Sequence, residues 1–157
     1  MKNLKTNLNQ NDLVDKLYIA TQLKLGQADV AYPELLALQR LNKSTDFVAM
    51  AGLELFKLGK IDDSSKILAE VDSDKITDPA ILAQVSITKL ITNQDNSIND
   101  IEKLLSDIIK NDNSKENIKE NQSLAIASLL AQKDFQKANI LIEKWISQSP
   151  NEINNYL

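Results

Sequence analysis

A helix–break–helix pattern recurs along this chain, and the recurrence restricts it to architectures that stack one small unit. Leu23-Lys24-Leu25-Gly26-Gln27 and Phe56-Lys57-Leu58-Gly59-Lys60 each close one helix-spaced apolar run and open another, with the two glycines 33 residues apart. Corresponding breaks follow at Thr92-Asn93-Gln94-Asp95 and Ala131-Gln132-Lys133-Asp134, at spacings of 36 and 38. A period of roughly 20–50 residues marks units that bury their apolar faces only against their neighbours.

The segments flanking each break have i, i+3/i+4, i+7 apolar spacing. Val48, Ala51, Leu55 and Leu58 share one helix face, and Ile61, Ile67, Leu68 and Val71 share the next. In the last unit Leu124, Ala127 and Leu130 precede Phe135, Ala138, Ile142, Trp145 and Ile146. A strand would scatter these residues over both faces. Three glycines and three prolines are too few for a turn-rich β fold, so the fold class is all-α.

Boundary residues agree. Asp78-Pro79 reads as an N-cap followed by proline at the first helical position. Ser149-Pro150-Asn151-Glu152 repeats it with a capping-box glutamate. Gly26 and Gly59 suit the left-handed residue that ends a helix. Pro33 fits only if the second helix starts near Tyr32 or carries Pro33 in its first turn. The spacing predicts eight helices, at about 11–25, 29–42, 45–58, 61–72, 78–92, 96–111, 117–132 and 134–148. Residues 1–10 are expected to be disordered or frayed, 11–152 to form one cooperative array, and 153–157 to start a further, truncated helix.

Composition excludes several chemistries. With no His and no Cys, disulfides, thiol catalysis, His-based zinc sites and Ser-His triads are impossible. Arg40 is the only arginine and the net charge is −4, which argues against a nucleic-acid surface. No run approaches the ~20 apolar residues of a membrane span, and no apolar signal-peptide core follows Met1. The chain alone would be cytoplasmic, and a fragment of an envelope protein would be periplasmic.

Candidate sites have plain structural readings. Loops starting at Asp95 or Asp72 fail the calcium pattern, since Asp100 or Thr77 stands where glycine is required. Asp62-Asp63 could serve acid–base chemistry, but at a helix start they complement the dipole. Asn42-Lys43-Ser44 and Asn121-Gln122-Ser123 match the glycosylation pattern by chance. Trp145 belongs to the apolar stripe of the last helix and reads as packing. The expectation is no cofactor and no enzyme.

These units resemble the tetratricopeptide repeat. Counted in that repeat's positions, the second unit has Gly52 at 8, Gly59 at 15, Ile61 at 17, Ser64 at 20 and Leu68 at 24. Gly26, Ala31 and Leu35 take 15, 20 and 24 in the first unit; Phe135, Ala138, Ile142 and Pro150 take 17, 20, 24 and 32 in the fourth. The third departs, with Thr88 at 8, Ser97 at 17 and Asp100 at 20. A HEAT-like or irregular array of helical pairs is the rival fold. The resemblance implies a right-handed α-solenoid of about four repeats, with small residues at 8 and 20 letting the paired helices approach closely. More loosely, the stretch from Leu129 to Ala138 and Trp145-Ile146 ahead of Pro150 are similar to the large repeat-rich lipoproteins of Gram-negative exopolysaccharide and protein-sorting systems.

The resemblance also implies a concave groove lined by the first helix of each pair. Its positions are Lys16, Ala20, Leu23 and Lys24, with Leu13, in the first unit, then Ala49, Leu53, Phe56 and Lys57 in the second. Val85 and Lys89 represent the third, while Glu120, Ser123, Ala127, Leu130 and Ala131 represent the fourth. The lysine–asparagine clamp of chaperone-tail binders is absent, since Ala20 and Leu53 stand where it needs asparagine. The implied function is a protein-interaction scaffold taking a peptide or helix, as a monomer or weak dimer, within an envelope export or assembly complex. The alternatives are a small-molecule-binding helical domain and a cytosolic regulatory adaptor. Leu53 and Leu130 could equally be internal packing residues.

Overall fold

The computed structural model describes residues 2–41, 44–92, 96–111 and 114–148, with side chains from residue 12 onward. Among them are eight α-helices, one 3-10 turn and no strand. The helices are α1 (Lys2–Lys24), α2 (Ala28–Arg40), α3 (Thr45–Lys57), α4 (Ile61–Glu70), α5 (Pro79–Thr92), α6 (Ile98–Asn111), α7 (Lys115–Ala131) and α8 (Phe135–Gln148). Seven of the eight follow the predicted spans to within about two residues at each end.

The exception is α1, which begins at Lys2 and takes in the residues expected to be frayed. Those residues contain no Gly or Pro to stop a helix. Pro33 also departs from expectation, lying inside α2, which starts at Ala28. Pro33 has no N–H for the carbonyl of residue 29, on a face exposed to solvent. The Ser149–Glu152 signature and residues 153–157 lie outside the described residues.

Three of the breaks have one geometry. Gly26, Gly59 and Lys133 have φ of 71°, 78° and 59°. At each, the following N–H reaches back five residues to a carbonyl: Gln27 to Gln22 (2.8 Å), Lys60 to Leu55 (3.0 Å) and Asp134 to Leu129 (2.9 Å). The left-handed residue itself bonds three back, to Leu23, Phe56 and Leu130. This is the Schellman ending, which satisfies the last carbonyls of a helix.

The next helix then starts alike in every unit. The carbonyls of Gln27, Lys60, Ser97 and Asp134 accept from the N–H four residues on, that of Ala31, Ser64, Ile101 and Ala138. These anchors are 33, 37 and 37 residues apart. The third unit is therefore displaced by one residue from the sequence alignment: Ile98 and Ile101 stand where Ser97 and Asp100 were placed. Ile101 and Leu105 are buried, whereas Ser97 and Asp100 cap α6 reciprocally, through Ser97 N–H to Asp100 Oδ2 (2.9 Å) and Asp100 N–H to Ser97 Oγ (3.2 Å).

The chain divides into two compact units, residues 1–81 and 82–157. In the first, α1 packs on α2 and α3, and α2 on α3 and α4, with α3 tight against α4. Asp29 and Lys60 join α2 to α4 by an ion pair of 2.8 Å, and Gln39 Nε2 donates to the carbonyl of Ile67 at 2.8 Å. In the second, α7 packs on α6 and α8. There Gln84 donates to Glu120 at 3.0 Å, linking α5 to α7, and Lys144 bonds Glu102, linking α6 to α8. In both units, then, a helix bonds with its next but one.

Candidate interaction surfaces

The expected groove divides sharply. Leu23, Ala49, Leu53, Phe56 and Val85 are buried, so at these positions the groove expectation is corrected to packing. Lys24 and Lys57 are exposed, Ala20 is half-buried, and Lys89 is half-buried with partners of its own. Lys16 is half-buried and pairs with Asp12 at 2.8 Å, one turn back on α1. The reason is the apolar character of α3 round its circumference: seven of its thirteen residues are buried, and of the rest only Met50 and Lys57 are exposed.

The fourth unit keeps that face open. Glu120, Ser123, Ala127 and Leu130 on α7 are exposed, and Ala131 is half-buried. The buried side of α7 carries Asn121, Leu124, Ala125, Ser128 and Leu129. Asn121, in the second glycosylation-like pattern, is therefore inside, and the structure does not describe Asn42 of the first. Leu53 and Leu130 separate here. The first is core and the second is surface.

Beside this face, at the turn between α7 and α8, lies a cleft of about 530 Å3 that includes Leu129, Gln132, Lys133 and Phe135. Asp134 closes the amino end of α8: its Oδ1 accepts the Lys137 N–H (3.1 Å) and its Oδ2 pairs with the Lys137 ammonium (2.9 Å). Those Lys137 bonds hold the Asp134 carboxyl below its ordinary range. A carboxylate thus already occupies the positive end of the α8 dipole. Phe135, at the rim, is 63% exposed.

A second apolar surface, on α1 and the turn after it, escaped the sequence reading except at Leu13, which the resemblance had put in the groove. Leu13, Val14, Leu17, Tyr18 and Leu25 are all exposed on the side of α1 away from buried Ile19 and Leu23. Exposed Lys24 shares this side, two turns on from Leu17. The signal was present: α1 has apolar residues on opposite faces, and a helix with only one covered face needs only one.

Trp145 is buried, as its place in the stripe predicts. Asp62 and Asp63 lie in the first turn of α4. No group of three or more acidic side chains arranged to hold a metal occurs among the described residues, and none of the described helices is long and apolar enough to cross a membrane. Compared with known proteins, the chain matches no family model, and no curated protein or solved structure gives a significant match.

Proposed function

We propose that this chain is a non-catalytic protein-interaction module built from stacked tetratricopeptide-like helix pairs. The partner segment, an amphipathic helix or extended peptide, docks on the open face of α7. The observation that carries the reading is the contrast between equivalent positions: Ala49, Leu53 and Phe56 are buried on α3, whereas Ser123, Ala127 and Leu130 are exposed on α7. Small side chains at 123 and 127 let a partner backbone come close, and Leu130 supplies an apolar anchor. The shared turn at Gly26, Gly59 and Lys133 supports the repeat, as do the bonds that join α2 to α4, α5 to α7 and α6 to α8. Export or assembly of envelope components is the setting that the lipoprotein resemblance suggests.

The small-molecule alternative is weaker. The cleft beside α8 is large enough for a ligand, but Gln132, Lys133, Asp134, Gln136 and Lys137 in its walls leave it without the mainly apolar lining such sites use. The test is selection of binding peptides on the wild-type protein. Ala127→Arg should weaken the selected peptides about tenfold or more, whereas Ser106→Arg on exposed α6 surface should leave them unchanged. Equal affinity for the wild type and Ala127→Arg contradicts the proposal.

A further inference from the structure

We infer that the second compact unit binds an extended peptide in a trough between its two helix pairs, holding the peptide main chain with the carboxamides of Asn99, Gln132 and Gln136. The site is separate from the α7 face proposed above, and both of its walls belong to residues 82–157.

Its origin is a junction that is closed in the first unit and open in the second. Counted from the anchors Gln27, Lys60, Ser97 and Asp134, Asn99 stands where Asp29 does, and Asp134 stands where Lys60 does. Asp29 and Lys60 close the first junction with an ion pair of 2.8 Å. Asp134 instead bonds Lys137 in the first turn of its own helix, and the Asn99 side chain has no partner among the described residues. Between them lies a cleft of about 400 Å3, with Ile98 and Ile140 in its walls. It shares Asp134, Gln136 and Lys137 with the 530 Å3 cleft at the α7–α8 turn, which continues to Gln132 and Leu129. The two make one trough past the first turn of α8.

The lining selects the occupant. Gln132 and Gln136, like Asn99, have no side-chain hydrogen bond among the described residues. A carboxamide carries both donors and an acceptor, the groups that match one peptide unit. A helical partner has spent its main-chain N–H and C=O groups on itself, whereas an extended segment presents them along its edges. Charge adds a second requirement. Asp134 and Lys137 neutralise each other. Lys133, exposed and without an ion-pair partner, is then the uncompensated charge among the described lining residues. The peptide therefore brings an acidic side chain to Lys133. It lays an aliphatic one against Ile98 and Ile140, of which Ile140 is 40% exposed.

The experiment selects a displayed library of random linear peptides on the full chain carrying Ala127→Arg, so that the α7 face contributes nothing. Enriched peptides should combine Asp or Glu with an aliphatic residue. They should shift the side-chain amide signals of Asn99, Gln132 and Gln136 in heteronuclear NMR spectra. Asn99→Ala and Gln136→Ala, both at exposed positions, should each weaken binding about fivefold with unchanged helical circular dichroism. Lys133→Gln should weaken it similarly and remove its salt dependence. N-methylation of peptide bonds in the bound stretch should abolish binding although every side chain is kept. No enrichment over the bare support overturns the inference, as does binding that leaves the three amide signals and the variants' affinities unchanged. Peptides selected on the wild type and released by Ala127→Arg bear on the α7 face alone, so either site can fail while the other stands.

Discussion

The Ser64 hydroxyl donates a 2.7 Å hydrogen bond to the carbonyl of Gly52, inside the contact between α3 and α4. Neither residue has bulk to hold the helices apart. A Cβ built on Gly52 would lie 2.8 Å from Leu68 Cδ2 and 3.0 Å from Ile67 Cγ2. Both neighbours are fully buried. Glycine at 52 is thus a packing requirement, not one of backbone conformation.

Gly52→Ala therefore pits two effects against each other. Alanine favours the helix by about 1 kcal/mol, and overpacking a closed contact costs ~1–3 kcal/mol. Overpacking should win, because the Cβ would press on two buried side chains at once, Leu68 and Ile67, and the variant should lose about 1 kcal/mol in urea unfolding. Gly52→Val should lose about 3 kcal/mol, and Ser64→Ala about 1 kcal/mol through the missing hydrogen bond. A rise in stability for Gly52→Ala would show that the helices are not in close contact.

Lys133 holds the left-handed conformation that Gly26 and Gly59 hold without a Cβ. Lys133→Gly should stabilise the chain by about 1 kcal/mol, and Gly59→Ala should destabilise it by a similar amount. Thermal unfolding of both variants checks the pair of signs. The same sign for both would break the equivalence of the turns.

Asp46 accepts hydrogen bonds from the side chain and the backbone N–H of Thr77, fastening the segment before α5 to the start of α3. The Thr77 hydroxyl, then its N–H, holds the Asp46 carboxyl below its ordinary 3.8. Asp100, bonded to Ser97, and Asp107, paired with Lys110, are lowered too. A depressed folded pKa adds stability above the unfolded value, and the contribution disappears as pH falls through the folded one. Stability should therefore be level from neutral pH to about 5 and decline below about 4. In an NMR titration, Thr77→Val should raise the Asp46 midpoint and leave that of Asp100 in place. No change at Asp46 would contradict the bond.

Trp145 is buried on α8, beside the equally buried Leu141 and Ala138 of the same face. Its fluorescence should be blue-shifted in the native state and move red on unfolding. Trp145→Ala should lose ~3–5 kcal/mol. An emission maximum already at the solvent value would place the indole outside.

Helix positions were legible in the sequence because the apolar spacing and the stop signals coincide. Gly26, Gly59 and Asp78-Pro79 each mark their boundary, and Asp78 Oδ1 accepts the N–H of Ala80 at 2.8 Å. Lys133 hid the equivalence of the last turn, since its side chain is not one that the left-handed region favours. In the third unit the repeat resemblance put Ser97 and Asp100 at packing positions, whereas the residue types themselves read as helix capping, which their reciprocal bonds bear out.

Which helix face carries the apolar residues was legible in the sequence, and what covers that face was not. Periodicity assigns Leu53 and Phe56 to a face, but whether a neighbouring helix covers that face depends on tertiary packing. The α1 stripe went unread for the same reason: Val14 and Tyr18 have the spacing of core residues and are exposed.

Within the first compact unit the α1–α2 and α3–α4 pairs stack, so that α2 touches α4 as well as α1. Nuclear Overhauser effects from the Gln39 side-chain amide test this most directly, because Nε2 lies 2.8 Å from the Ile67 carbonyl. Cross-peaks from that amide to the α-protons of Ile67 and Leu68 are predicted. An amide that shows contacts to α1 and α2 alone would contradict the stacking.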